Sequence, residues 1–179
     1  KWAPDGHKWF VVFTNEGTRK THPELPRVKV ILAADADGTG LRFIGSFGHH
    51  PNWMPDSSGI YAFAGSGTIL RWPACGGEAC EFVRFPCEGH PCVSPDQRFI
   101  TTDFMEGGDP GRAGIHWKKC GMENSELIVE MRSPFVPWQH GHPRGKVCHP
   151  HPVWSNDGRR LYFNAVDGDM PRFCVMDLA

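Results

Sequence analysis

No apolar run in this chain approaches 18 residues, which excludes a membrane-crossing helix. There is no excess of either charge. The 19 Lys and Arg stand against 20 Asp and Glu, a net charge of −1, so nothing would hold a nucleic-acid backbone by bulk electrostatics. Long windows free of glycine and proline are also missing. The 21 Gly and 16 Pro are spread through all 179 residues, which argues against a helical protein. The chain has no Gly-x-Ser-x-Gly elbow, no phosphate loop and no His-Glu-x-x-His, and so lacks the motifs of those hydrolases, nucleotide enzymes and metalloproteases. Cys75 and Cys80, and likewise Cys87 and Cys92, are spaced too widely for a Cys-x-x-Cys zinc or redox pair. The seven cysteines read either as buried free thiols or, for Cys75 and Cys80, as one small disulfide loop. The chain opens without an initiator Met, and the compartment stays unassigned.

What is present is a repeat. Hydrophobic residues make up 40% of the chain and 7 are Trp, enough to build a core. Four segments share one pattern: Trp2-Ala3-Pro4-Asp5-Gly6, Trp53-Met54-Pro55-Asp56, Val93-Ser94-Pro95-Asp96 and Trp154-Ser155-Asn156-Asp157-Gly158. The anchoring Asp recurs at steps of 51, 40 and 61 residues. Each segment is a tight-turn signal, because Pro presets φ and Asp bonds back to the backbone. Aromatic and β-branched runs follow each turn at residues 9–13, 60–63, 99–103 and 161–163, as strands require. Further strands are expected at 28–33, 68–72 and 127–131, with outer ones at 41–44 and 81–85, while 104–122 reads as a glycine-rich loop insertion. About four short strands per unit is the period of a propeller blade. The expected fold is all-β: a partial β-propeller of about three and a half four-stranded blades. Its units are approximately 1–48, 49–88, 89–147 and 148–179, within a single domain over 1–179. Both ends fall inside patterned segments, so further blades of the same chain are expected.

The 10 histidines concentrate at one repeated place. His50, His90 and His151 each lie six residues before the motif Asp of their unit, and each is followed by Pro. His149 lies two residues further back, on the same face if the strand is extended. Equivalent positions of successive inner strands are related by rotation about a propeller axis, so these rings should surround one mouth of the channel. Converging imidazoles suit a borderline divalent metal. The plainer reading is that His-Pro simply leads into an inner strand, with each ring bonded to nearby backbone. His116 reads as a loop histidine, His140 and His142 either as surface histidines or as cover for the channel that joins the metal site, and Trp2, Trp53 and Trp154 as packing between blades.

The Pro-Asp-Gly repeat resembles that of TolB-like propellers over nearly the whole chain. The segment His149-Pro150-His151-Pro152 followed by Trp154-Ser155-Asn156-Asp157-Gly158 is similar to the metal-site blade of oligogalacturonate lyases. That resemblance implies His149 and His151 as two manganese ligands and His90 as the third. It implies His50 as the catalytic base, with His49 the alternate. The family carries a Gln ligand where this chain has Lys146, and Gln139 is the nearby substitute. Its site arginine has only Arg19 and Arg27 as rough counterparts. Arg144 and Lys146 lead into His149 and are candidates to bind an acidic oligosaccharide. The resemblance implies a metal-dependent lyase that cleaves uronate oligosaccharides by β-elimination. The alternative is a non-catalytic TolB-like propeller serving as a binding or protein-interaction scaffold.

Overall fold

The computed structural model describes residues 1–106, 111–133, 149–167 and 170–178. They fall into two compact units, Lys1–Arg84 and Phe85–Ala179. In the first unit, β1 (Lys8–Thr14), β2 (Lys29–Asp35) and β3 (Arg42–Ser46) form one antiparallel sheet in chain order. A single bridge between Trp2 and Trp9 stands where an inner strand would pair. The short helix α1 (Glu16–Arg19) interrupts the β1–β2 connection. The second sheet runs β4 (His49–Trp53), β5 (Gly59–Gly65), β6 (Thr68–Pro73), β7 (Cys80–Arg84). In the other unit, β8 (Cys92–Val93), β9 (Phe99–Glu106), β10 (Gly111–Lys119) and β11 (Glu126–Ser133) form a four-stranded sheet. A three-stranded one follows: β12 (Val153–Trp154), β13 (Arg160–Asp167) and β14 (Met170–Asp177). Sequential antiparallel neighbours of this kind are the up-and-down sheets from which propeller blades are made.

The repeated turn has one geometry. The motif carboxylate Oδ1 accepts the backbone N–H two residues on in all four copies: His7 to Asp5 at 2.9 Å, and Ser58, Arg98 and Arg159 to Asp56, Asp96 and Asp157 at 3.0 Å. A backbone bond closes each turn, the Lys8, Gly59, Phe99 and Arg160 carbonyls accepting from the N–H groups of Ala3, Met54, Ser94 and Ser155. The hydrogen bonds favour the charged carboxylate, and at Asp96 those from Ser94 and Arg98 bring its pKa down to about 2. The residue after each Asp takes positive φ: Gly6 at 73°, Ser57 at 60°, Gln97 at 58° and Gly158 at 70°. Glycine holds that conformation without strain, whereas a side chain costs about 1–2 kcal/mol there.

Two inner-strand tryptophans, Trp53 and Trp154, are buried and satisfied in the same way. The Trp53 indole N–H donates to the Lys1 carbonyl at 3.1 Å, and that of Trp154 donates to the Cys92 carbonyl at 3.2 Å. Both acceptors stand four residues before their own motif Asp. In the first unit Trp53 joins a core with Phe10, Ile31, Ile44, Ile60 and Trp72. In the second, Trp154 packs with Ile115, Leu161 and Phe163. Trp2, expected to pack likewise, is 62% exposed.

Two expectations are corrected. The stretch 104–122 is not a loop insertion: β9 continues to Glu106 and β10 occupies Gly111–Lys119, paired on both edges. Its glycines misled because this strand is central, and small residues such as Gly114 sit buried among Ala113 and Ile115. Residues 127–131 therefore form the outer strand of that sheet rather than the third. The described cysteines carry free thiols, with Cys75 and Cys80 exposed rather than buried or bridged.

The repeat geometry predicts opposite effects at two equivalent sites. Gln97→Gly should raise unfolding free energy by about 0.5–1 kcal/mol, the relief of strain exceeding the added chain entropy, and Gly158→Ala should lower it by about 1 kcal/mol. Denaturant unfolding of both variants checks this; a less stable Gln97→Gly would contradict it.

Candidate metal centre

Three of the repeated histidines converge in the second unit. Ring nitrogens of His90, His149 and His151 all lie within 4.8 Å of one another. The His90 and His151 ring centroids are 3.5 Å apart, and His149 meets His90 edge-on at 5.2 Å. Nitrogens bound to one ion at about 2.1 Å would stand roughly 3.4 Å apart, so the three need only small side-chain adjustments to share one centre. The donor set is all imidazole, a chemistry that suits first-row divalent cations.

The convergence has a different local cause from the expected one. Residues 149–152 are not an extended strand, since β12 begins only at Val153. His151 instead takes φ 46°, which turns the chain between the two imidazoles. A β-carbon in that region is strained, and the strain is offset by a hydrogen bond. The His151 N–H donates to Asp103 Oδ2 at 2.8 Å. Asn164 holds the other side, its backbone N–H donating to the Pro150 carbonyl at 2.8 Å and its side-chain amide to the His149 carbonyl at 3.2 Å.

Asp103, on β9, is the residue that sequence reasoning missed. Its side chain is 1% exposed beside the 19% exposed His90 ring. Oδ1 accepts the His90 backbone N–H at 2.5 Å, and His90 Nδ1 lies 3.0 Å from both carboxylate oxygens. Gly89 makes this approach feasible, because a β-carbon there would collide with the Asp103 carbonyl oxygen. Burial pushes the Asp103 carboxyl up, but bonding to the His90 ring, the attraction of that ring when it is protonated, and the N–H groups of His151 and His90 together hold it below the ordinary value. A signal did exist in the sequence. An acidic residue interrupts the run Phe99-Ile100-Thr101-Thr102-Asp103-Phe104 seven places after the motif Asp.

His50, expected as the base, lies in the first unit at φ 55°, and its ring meets that of His49 edge-on at 4.7 Å. Pro51, Val11, Val12 and Lys1 line an open cavity of about 520 Å³ beside it. Arg19 bonds the Leu25 carbonyl and Arg27 pairs with Glu16 at 2.6 Å. His116 sits on β10 against Phe104 rather than in a loop. Arg144 and Lys146, with Gln139, His140 and His142, lie outside the described residues.

Burial, and then repulsion from His90 when that ring is protonated, lower the pKa values of His149 and His151 below the ordinary 6.5. Both are therefore neutral, and able to bind a cation, at pH 7. Their folded-state pKa values lie below the unfolded one, so the unfolded chain takes up protons first as pH falls. Stability without metal should decline as pH drops below about 6.5. Urea unfolding at pH 7.5 and 5.5 tests this; replacing both residues by Gln should shrink the difference, and an unchanged difference would contradict it.

No family model matches the chain, and no curated protein matches it in sequence. Solved structures do resemble it. An oligogalacturonate lyase in complex with manganese superposes with a TM-score of 0.61 at 18% identity, over 83% of this chain and 41% of that one. An oligogalacturonate lyase from Vibrio parahaemolyticus gives 0.62 at 16%, over 84% and 46%. A putative TolB from Agrobacterium tumefaciens gives 0.55 at 17%, over 99% and 56%. The chain thus spans less than half the length of the two lyases. At these identities the likeness speaks to fold: the chain is almost all-β and carries the propeller fold of oligogalacturonate lyases and TolB-like proteins, its described strands forming two four-stranded and two three-stranded antiparallel sheets.

Proposed function

We propose that this chain binds a divalent cation, manganese by preference, through His90, His149 and His151, and acts on acidic uronate oligosaccharides as a β-eliminating lyase. The observation that supports it is the gathering of three imidazoles from two sheets within 4.8 Å, each ring presented by a His-Pro segment. A buried carboxylate behind one of them, at 3.0 Å, is the outer partner that ligating histidines usually have. The manganese of the similar lyase belongs to that protein and supports the choice of metal here.

In this reading, the cation when bound would neutralise a substrate carboxylate as a Lewis acid. The chain's own residues do the rest. His50 would take the proton from the carbon beside the carboxylate. The electron pair left behind forms a carbon–carbon double bond as the 4-linked sugar oxygen departs. Arg144 and Lys146 would hold acidic groups of neighbouring sugars. The blades that complete the ring would come from further parts of the same chain. The TolB likeness extends over 99% of the chain and favours a second reading, a non-catalytic binding or protein-interaction scaffold.

Metal analysis of the intact protein separates the two readings. About one equivalent of manganese is expected, with loss of most of it in the His149→Ala, His151→Ala double variant; a metal-free parent would favour the scaffold. With metal present, digestion of oligogalacturonate should yield a 4,5-unsaturated product absorbing in the ultraviolet, and His50→Ala should reduce its formation at least ~100-fold. Absence of that product in the parent would rule out the lyase step.

A further inference from the structure

The position seven residues after the motif Asp holds Phe63, Asp103 and Asn164 in successive units. In each of these three repeats it touches a histidine segment that precedes an inner strand. The Phe63 carbonyl accepts the Gly48 N–H at 2.7 Å while its ring stacks under His49 at 5.2 Å. Asn164 bonds the Pro150 and His149 carbonyls. Asp103 bonds the histidine segment of its own sheet at His90 and also that of the following sheet at His151. One repeated position therefore carries an aromatic ring, a carboxylate and an amide in turn, and each type supports a different arrangement of the imidazoles above it.

Resting on the metal-site reading, we infer that Asp103 is a positioning residue. It fixes His90 as the Nδ1–H tautomer, turns Nε2 toward His149 and His151, and pins the backbone of His151 in its left-handed conformation. The reasoning is one of donors and acceptors. An ionised carboxylate can only accept. With both oxygens 3.0 Å from Nδ1, the ring nitrogen must be the donor. In the neutral ring, that leaves on Nε2 the lone pair that a cation needs. The two backbone N–H donors alone would satisfy a purely structural clamp. The ring bond is the part that speaks to metal binding, and it is the part that a test can isolate.

Long-range proton–nitrogen NMR of the metal-free protein near pH 8 reads the tautomer without any variant. The expected result is protonated Nδ1 and unprotonated Nε2 at His90; the opposite tautomer would overturn the inference. Titration with Co²⁺, followed by its visible absorption, supplies the second readout. Asp103→Asn keeps the side-chain shape and should weaken Co²⁺ binding about 10–100-fold, with loss of the fixed His90 tautomer. Equal Co²⁺ affinity in parent and variant would overturn the inference even if the tautomer is as expected. A parent that binds no Co²⁺ would overturn the metal-site reading and the metal half of this inference, while the tautomer result would still decide whether Asp103 orients His90.

Discussion

A buried indole N–H must find an acceptor, and this protein gives it the same one twice. Trp53 and Trp154 each donate to the carbonyl four residues before the motif Asp of another sheet's inner segment, Lys1 and Cys92 respectively. Losing such a bond would leave a buried polar group unpaired, at about 1–3 kcal/mol. The bond does more than stabilise. It fixes where one inner strand lies along its neighbour. Within the second unit it sets β12 against β8, so that residues six places before Asp96 and Asp157 come level. Those residues are His90 and His151. The third segment has Val93 at the tryptophan position and carries no indole to make the bond.

The same register brings Asp103 within reach of both His90 and His151. A carboxylate so buried would be costly without partners, and three N–H groups meet it: the backbone of His90, the backbone of His151 and the His90 ring. Gly89 has no β-carbon to block the approach. The strained φ of His151 persists because the structure around it supplies both an acceptor at Asp103 and a carbonyl clamp from Asn164. Packing, turn chemistry and hydrogen bonding thus converge on a cluster of imidazoles in which His149 and His151 are neutral near pH 7, the state a metal requires.

Much of the fold was legible because the repeat is punctuated by chemistry with few structural solutions. Asp5, Asp56, Asp96 and Asp157 each mark a turn, and the aromatic runs after them each form a strand. β10 was not legible. Its glycines resemble a loop in sequence and become tolerable only once β9 and β11 pair with both edges of the strand. For the site, His90, His149 and His151 could be found by counting back from the repeat. Their actual approach could not, since it depends on the left-handed turn at His151, which no residue preference announces. Asp103 was visible only as a polar interruption in an apolar strand, and its role appears once β9 lies under two histidine segments at the same time.

The central claim is that His90, His149 and His151 form one cation site. The most direct measurement is anomalous X-ray scattering from crystals of the intact protein grown with Mn²⁺. The account predicts one strong anomalous peak with imidazole nitrogens of all three residues at about 2.1–2.3 Å. A manganese-loaded crystal with no peak there, or with the three rings bonded separately to neighbouring backbone, would contradict it.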